Sequence, residues 1–150
     1  MLLDWALASL HHVLVFALVA VIAAELILIR PGLAGAAIAR LGRLDAAYGA
    51  LALLVIGAGA ARLVWGLKGW DYYASNHSFW GKMIAFAAVG ALSVPPSLAI
   101  ARWRKRQKTH VNFSVPDAEI LRARRFIHAE ALLLVAILLF AAAMARGIGS

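Results

Sequence analysis

Apolar positions fall into four long runs, about residues 3–29, 45–67, 79–101 and 126–146. They do not form the short alternating or half-buried stretches of a water-soluble domain. A helix rising 1.5 Å per residue needs about 20 apolar residues to cross roughly 30 Å of hydrocarbon, and each run reaches that length. In lipid every backbone N–H and C=O has to find its partner inside the segment, which for runs of this length means helix. The pattern predicts an all-α fold, an integral membrane antiparallel four-helix bundle, with residues 1–150 forming a single membrane domain.

Punctuation between the runs supports the division. Arg30-Pro31-Gly32 closes the first, since proline cannot continue a helix and glycine lets the chain turn. Residues 33–44, LAGAAIARLGRL, are small and basic and read as a short interfacial helix, with Asp45 as N-cap of the second span. Gly57, Gly59, Ala61, Gly90 and Ala141 are small residues expected at helix contacts. Trp65, Trp70, Tyr72, Tyr73 and Trp80 cluster between the second and third runs, as in an aromatic belt at a membrane boundary. Pro95-Pro96 is expected to kink or end the third run.

Composition sharpens this picture. Hydrophobic residues make up 64% of the chain and mean hydropathy is +0.85, against about 45–50% apolar for a soluble domain. The absence of cysteine excludes disulfides, thiolate metal sites and iron–sulfur clusters. The first run carries Asp4 rather than a basic flank and exceeds the usual signal-peptide length, so it is expected to be a retained helix. A net charge of +8 does not point to nucleic acid, because the cations sit in short segments beside apolar runs. Segment 30–44 holds three basic residues and segment 102–125 holds eight, against Lys68, Lys82 and Arg146 on the other side. This bias predicts cytoplasmic basic segments with both termini on the opposite side, and anionic lipid as partner of the basic segment 102–125.

Candidate chemistry lies in the ionisable residues of the spans, where charge is costly and function or a buried partner is the default reading. In the first run His11 and Glu25 lie within about 40° of each other around the helix, while His12 points about 100° from His11. His11 and Glu25 are also about 21 Å apart along the axis. Antiparallel spans therefore sort the polar residues into two layers. One holds His11, His12, Arg62, Lys82 and Met144, and the second holds Glu25, His128 and Glu130. An intramembrane histidine in a four-helix bundle is the usual axial ligand of haem b, balanced against a plain interhelical hydrogen bond. Arg62 and Lys82 would then meet the propionates, or else reach lipid phosphate. His11 and His12 as metal ligands, with Met83 and Met144 as soft donors, make copper a lesser option. Glu25 is expected to bond His128 or Arg30. His128 and Glu130, about 200° apart, do not face one ion.

The pattern R-x-x-x-G-x-K-G-x-x-Y-Y-x-x-N-x-x-F-W-x-K runs from Arg62 through Gly66, Lys68, Gly69, Tyr72, Tyr73, Asn76, Phe79 and Trp80 to Lys82. With Met144-Ala145-Arg146-Gly147 and Glu25-Leu26, it resembles a bacterial family of predicted four-span membrane proteins with no assigned function. A more distant similarity reaches HemJ-type protoporphyrinogen oxidases and CopD-type membrane domains. It rests on Trp5 to His11, on Lys82 opening the third span, and on Arg125 to Glu130 opening the fourth. That similarity implies a haem-ligating histidine in the first span. The asparagine–glutamate pair of the HemJ type is broken here by His128-Ala129-Glu130. Three functions follow as expectations: a haem b protein for electron transfer or porphyrin redox chemistry, a non-catalytic scaffold or accessory subunit, or a copper or small-ligand transporter. An electron-transfer partner or a homo-oligomer would accompany the first.

Overall fold

A computed structural model of the chain describes residues 1–66, 69–110 and 112–147, without the side chains of Gly69 and Asp71. Lys68, part of the sequence motif and of the charge count, lies outside the described residues. Four helices are long and apolar enough to cross a membrane: α1 (Leu2–Leu28), α2 (Ala36–Trp65), α4 (His77–Thr109) and α5 (Asp117–Ala145), with a short α3 (Gly69–Ala74) between the second and third. They form a bundle. Hairpin α1/α2 packs on hairpin α4/α5 through α2 against α4 and α1 against α5. The backbones of the diagonal pairs α1/α4 and α2/α5 do not come together among the described residues; only side chains meet across them.

The side chains facing lipid are those of an apolar belt: Phe16, Leu53, Ile84, Leu98, Leu132 and Leu139 are all exposed. Packing is tightest at the end carrying the two basic segments, where Ile29, Ile38, Leu41, Ile100, Trp103 and Ile120 are almost wholly buried. That end extends past the hydrocarbon, because the 33 residues of α4 span about 50 Å at 1.5 Å each.

Several sequence expectations are corrected here. Residues 36–44 are not a separate interfacial helix, and Asp45 is not an N-cap. Gly35, at φ +55°, starts a helix that runs unbroken through Asp45 to Trp65. The basic segment 102–125 is mostly helical too, since α4 continues to Thr109 and α5 begins at Asp117. Pro95 and Pro96 lie inside α4 without ending it; the Ser93 hydroxyl beside them donates to the Gly90 carbonyl at 2.8 Å. Gly57 and Gly90 are exposed, and a Cβ on either would meet nothing within 4 Å. Close approach falls instead at Gly42, against the Arg104 side chain, and at Gly81, where a Cβ would stand 2.9 Å from the Phe140 ring.

The two connections at this end hold each other. The Val115 N–H donates to the Leu33 carbonyl at 2.9 Å, and Ala34 and Ser114 form an antiparallel bridge. Arg124 donates to the carbonyls of Leu26, at 2.9 Å, and Ile29. It thereby satisfies orphan acceptors at the negative end of α1.

Candidate functional site

At the other end, the sequence motif becomes a piece of geometry. Asn76 is fully buried, and its side-chain oxygen accepts from the backbone N–H groups of Ser78, at 2.9 Å, and Phe79, at 3.3 Å. This is an N-cap, which fixes where α4 starts and therefore which side chains of its first turns face inward. Phe79 is buried, with its ring centroid 5.6 Å from that of Tyr73. The Lys82 ammonium lies 5.7 Å from the same ring's centroid. Tyr72 donates to the Met144 carbonyl at 3.3 Å, tying the end of α5 to α3.

The result is a cavity of about 420 Å³, within the usual range for small-molecule sites. His11 of α1, Arg62 of α2, Lys82 and Met83 of α4 and Met144 of α5 all line it. Its walls are otherwise mainly apolar, with Val15, Leu18, Val55 and Phe86 among them. His11 lies against α2 at the Val55 carbonyl, and its Nδ1 is buried with no hydrogen-bond partner. Arg62 Nε is likewise buried and unpartnered. Among the described residues no carboxylate pairs with Arg62 or Lys82. Both cations lie near enough to His11 for their charges to act on it. The arrangement offers one imidazole, two cations with no carboxylate partner among the described residues, and two thioethers around an apolar space.

His12 does not join them. It is exposed, turned edge-on to His11 with 6.2 Å between ring centroids, and bonded through Nδ1 to its own helix at the Ala8 carbonyl, 2.6 Å away. The structure therefore places four of the five layer residues on one cavity and leaves His12 outside it.

In the second layer, Glu25 and Glu130 are buried at 5% and 2% exposure. The expected bond from Glu25 to His128 does not form. His128 is exposed and its Nδ1 pairs with the Arg124 carbonyl of its own helix at 2.7 Å. Glu25 faces Asp45 and Glu130 instead, and the Tyr48 hydroxyl lies beside Glu130 and Ser93. Ser97 donates to Asp45. Among the described residues no group of three or more His, Cys, Asp or Glu is placed to hold a metal ion.

A family model described as "Predicted membrane protein (DUF2214)" matches residues 3–149. The chain belongs to this family. No curated protein and no solved structure matches it. The DUF2214 match spans both polar layers and the whole Arg62–Lys82 motif, so the cap at Asn76 and the cavity lie within the family's domain.

Sequence reasoning placed Tyr73 in a belt and Asp45 at a helix end, and it passed over Phe86, Tyr48, Ser93 and Ser97. The signal for the last group was present in the spacing. Asp45 and Tyr48 are three apart and Ser93 and Ser97 four apart, so each pair shares one helix face inside an apolar run.

Proposed function

We propose that this protein binds haem b in the cavity between His11, Arg62 and Lys82, and serves electron transfer or porphyrin redox chemistry in the membrane. One observation carries this reading: a buried imidazole nitrogen without a partner and two cations with no carboxylate partner among the described residues converge on a single apolar cavity. A ligating histidine characteristically gives its other ring nitrogen to a carbonyl, which orients the ring, and the Val55 carbonyl beside His11 would serve for this. Arg62 and Lys82 supply the charge that a pair of propionates requires. The apolar walls suit the macrocycle and exclude water. Met144 would supply a second ligand, and Lys82 would do so only in place of its role at the propionates. Bound haem would supply one-electron chemistry; the chain's residues orient it, neutralise its carboxylates and keep solvent from it. Copper is less well served, because His12 is turned away and leaves one imidazole.

The orientation that fits the charge bias places the end with segments 30–44 and 102–125 in the bacterial cytoplasm. There Arg102, Arg106 and Arg122 line a cleft of about 600 Å³ between α4 and α5, with Val94, Leu98 and Phe126 in its wall. Cations over an apolar wall suit an anionic phospholipid.

The test is an absorption spectrum of the full-length protein purified after haem-replete expression. A Soret band in the parent and in His12→Ala, and its loss in His11→Ala, is the expected result. A colourless parent that takes up no added haem would leave the accessory-subunit reading.

A further inference from the structure

The carboxylates of the second layer play no part in the haem reading and need their own account. They come from three helices: Glu25 from α1, Asp45 from α2 and Glu130 from α5. Facing them are Tyr48 of α2 and the hydroxyls Ser93 and Ser97 of α4. Among the described residues no cation is paired with them. The electrostatic neighbours of Glu25 are Asp45 and Glu130, and those of Glu130 are Tyr48 and Asp45. On α5, Arg124 is committed to the Leu26 and Ile29 carbonyls and Arg125 is exposed. His128 is exposed and turned back on its own helix.

Two details go beyond an acidic cluster. Glu25 Oε1 and Glu130 Oε1 are each buried with no hydrogen-bond partner, on side chains that are themselves 5% and 2% exposed. A buried carboxylate oxygen without a donor incurs its full desolvation cost. The cost rises further when a second carboxylate faces it, since two like charges at one site do not both ionise readily.

We propose that Glu25 and Glu130 form a membrane-embedded proton-binding site, in which the pair holds an exchangeable proton and Tyr48 with Ser93 extends the hydrogen-bonded path from it. A proton fits these groups better than a metal ion does. It turns an unpartnered acceptor into a donor and removes charge without a coordination sphere. Calcium needs six to eight oxygen ligands and magnesium near-ideal octahedral geometry, whereas no group of three or more metal-binding side chains is assembled among the described residues. The site is independent of the haem reading, and its failure would leave that reading untouched.

Infrared spectroscopy of the full-length protein in hydrated lipid films tests the proposal directly. At neutral pH the parent is expected to show a carboxylic-acid C=O band that shifts on transfer to D₂O. The band should weaken in Glu25→Gln and in Glu130→Gln, vanish in the double variant, and persist in Asp45→Asn. It should be indifferent to replacement of choline by sodium, calcium or magnesium. Absence of any acid band in the parent at neutral pH would overturn the proposal without recourse to variants. A band that follows Asp45 alone, or that sodium, calcium or magnesium converts to carboxylate, would overturn it in favour of a different site or a metal cation.

Discussion

The Trp103 indole N–H donates to Glu119 Oε2 across 2.6 Å, joining α4 to α5 beyond their apolar runs. Arg106 completes the contact with Glu119 Oε1 at 3.1 Å. The Trp103 bond first, then Arg106, hold the Glu119 carboxyl below the usual range. A carboxyl depressed in the folded state contributes stability that is present above its unfolded value, about 4.3. That stability is lost as pH falls through the lower folded value. Protection against hydrogen exchange in the α4–α5 connection, relative to the intrinsic rate, should therefore fall on acidification below about pH 4, and Glu119→Gln should remove most of the response. With Glu119 about one-third exposed, we expect that substitution to cost only about 1 kcal/mol in detergent unfolding.

Burial, rather than hydrophobicity alone, should rank apolar substitutions. Trp103 is 0% exposed and Leu132 is 73% exposed. Trp103→Ala is expected to cost about 3–5 kcal/mol and Leu132→Ala within about 0.5 kcal/mol, measured by thermal unfolding in one detergent. Equal effects would contradict the packing described for the basic end.

The glycines divide in the same way. Gly57 and Gly90 have open space where a Cβ would sit, so Gly57→Ala and Gly90→Ala should raise stability by about 0.5–1 kcal/mol through helix propensity. At Gly66 a Cβ would run into the Arg62 carbonyl and stand 3.2 Å from Asp4 Oδ1. Gly66→Ala should lower the melting temperature, and any haem band should weaken with it because Arg62 must shift.

Orientation is open to a direct assay, since the chain has no cysteine. With Lys108→Cys and Ser75→Cys as separate single-cysteine proteins in intact cells, a membrane-impermeant thiol reagent should label only Ser75→Cys. Labelling of Lys108→Cys alone would invert the topology drawn from the basic segments.

The four helices were legible because a bilayer demands one long uninterrupted apolar run per span, and composition alone reveals such runs. Their ends were less legible. Basic residues such as Arg40, Arg43 and Arg104 mark where hydrocarbon stops, yet nothing requires a helix to stop with it, and α2 and α4 continue well past them. Helical angle and axial rise separated His11 from Glu25, and antiparallel packing brought Arg62 and Lys82 to the level of His11. Neither could show that His12 would turn to the Ala8 carbonyl, because lateral placement depends on which neighbour each helix meets. The same holds for Glu25: one-dimensional reasoning offered His128, while the order of helices around the bundle delivered Glu130 and Asp45.

The bond between Leu33 and Val115 and the bridge beside it clasp the two hairpins at one end. In mechanical terms the molecule is a pair of tongs with its fulcrum there and its jaws around His11, Arg62 and Lys82. Tongs open at the jaws without disturbing the fulcrum. If the cavity holds a porphyrin as proposed, a small splay of the hairpins would admit it sideways from the lipid and leave the core around Trp103 closed.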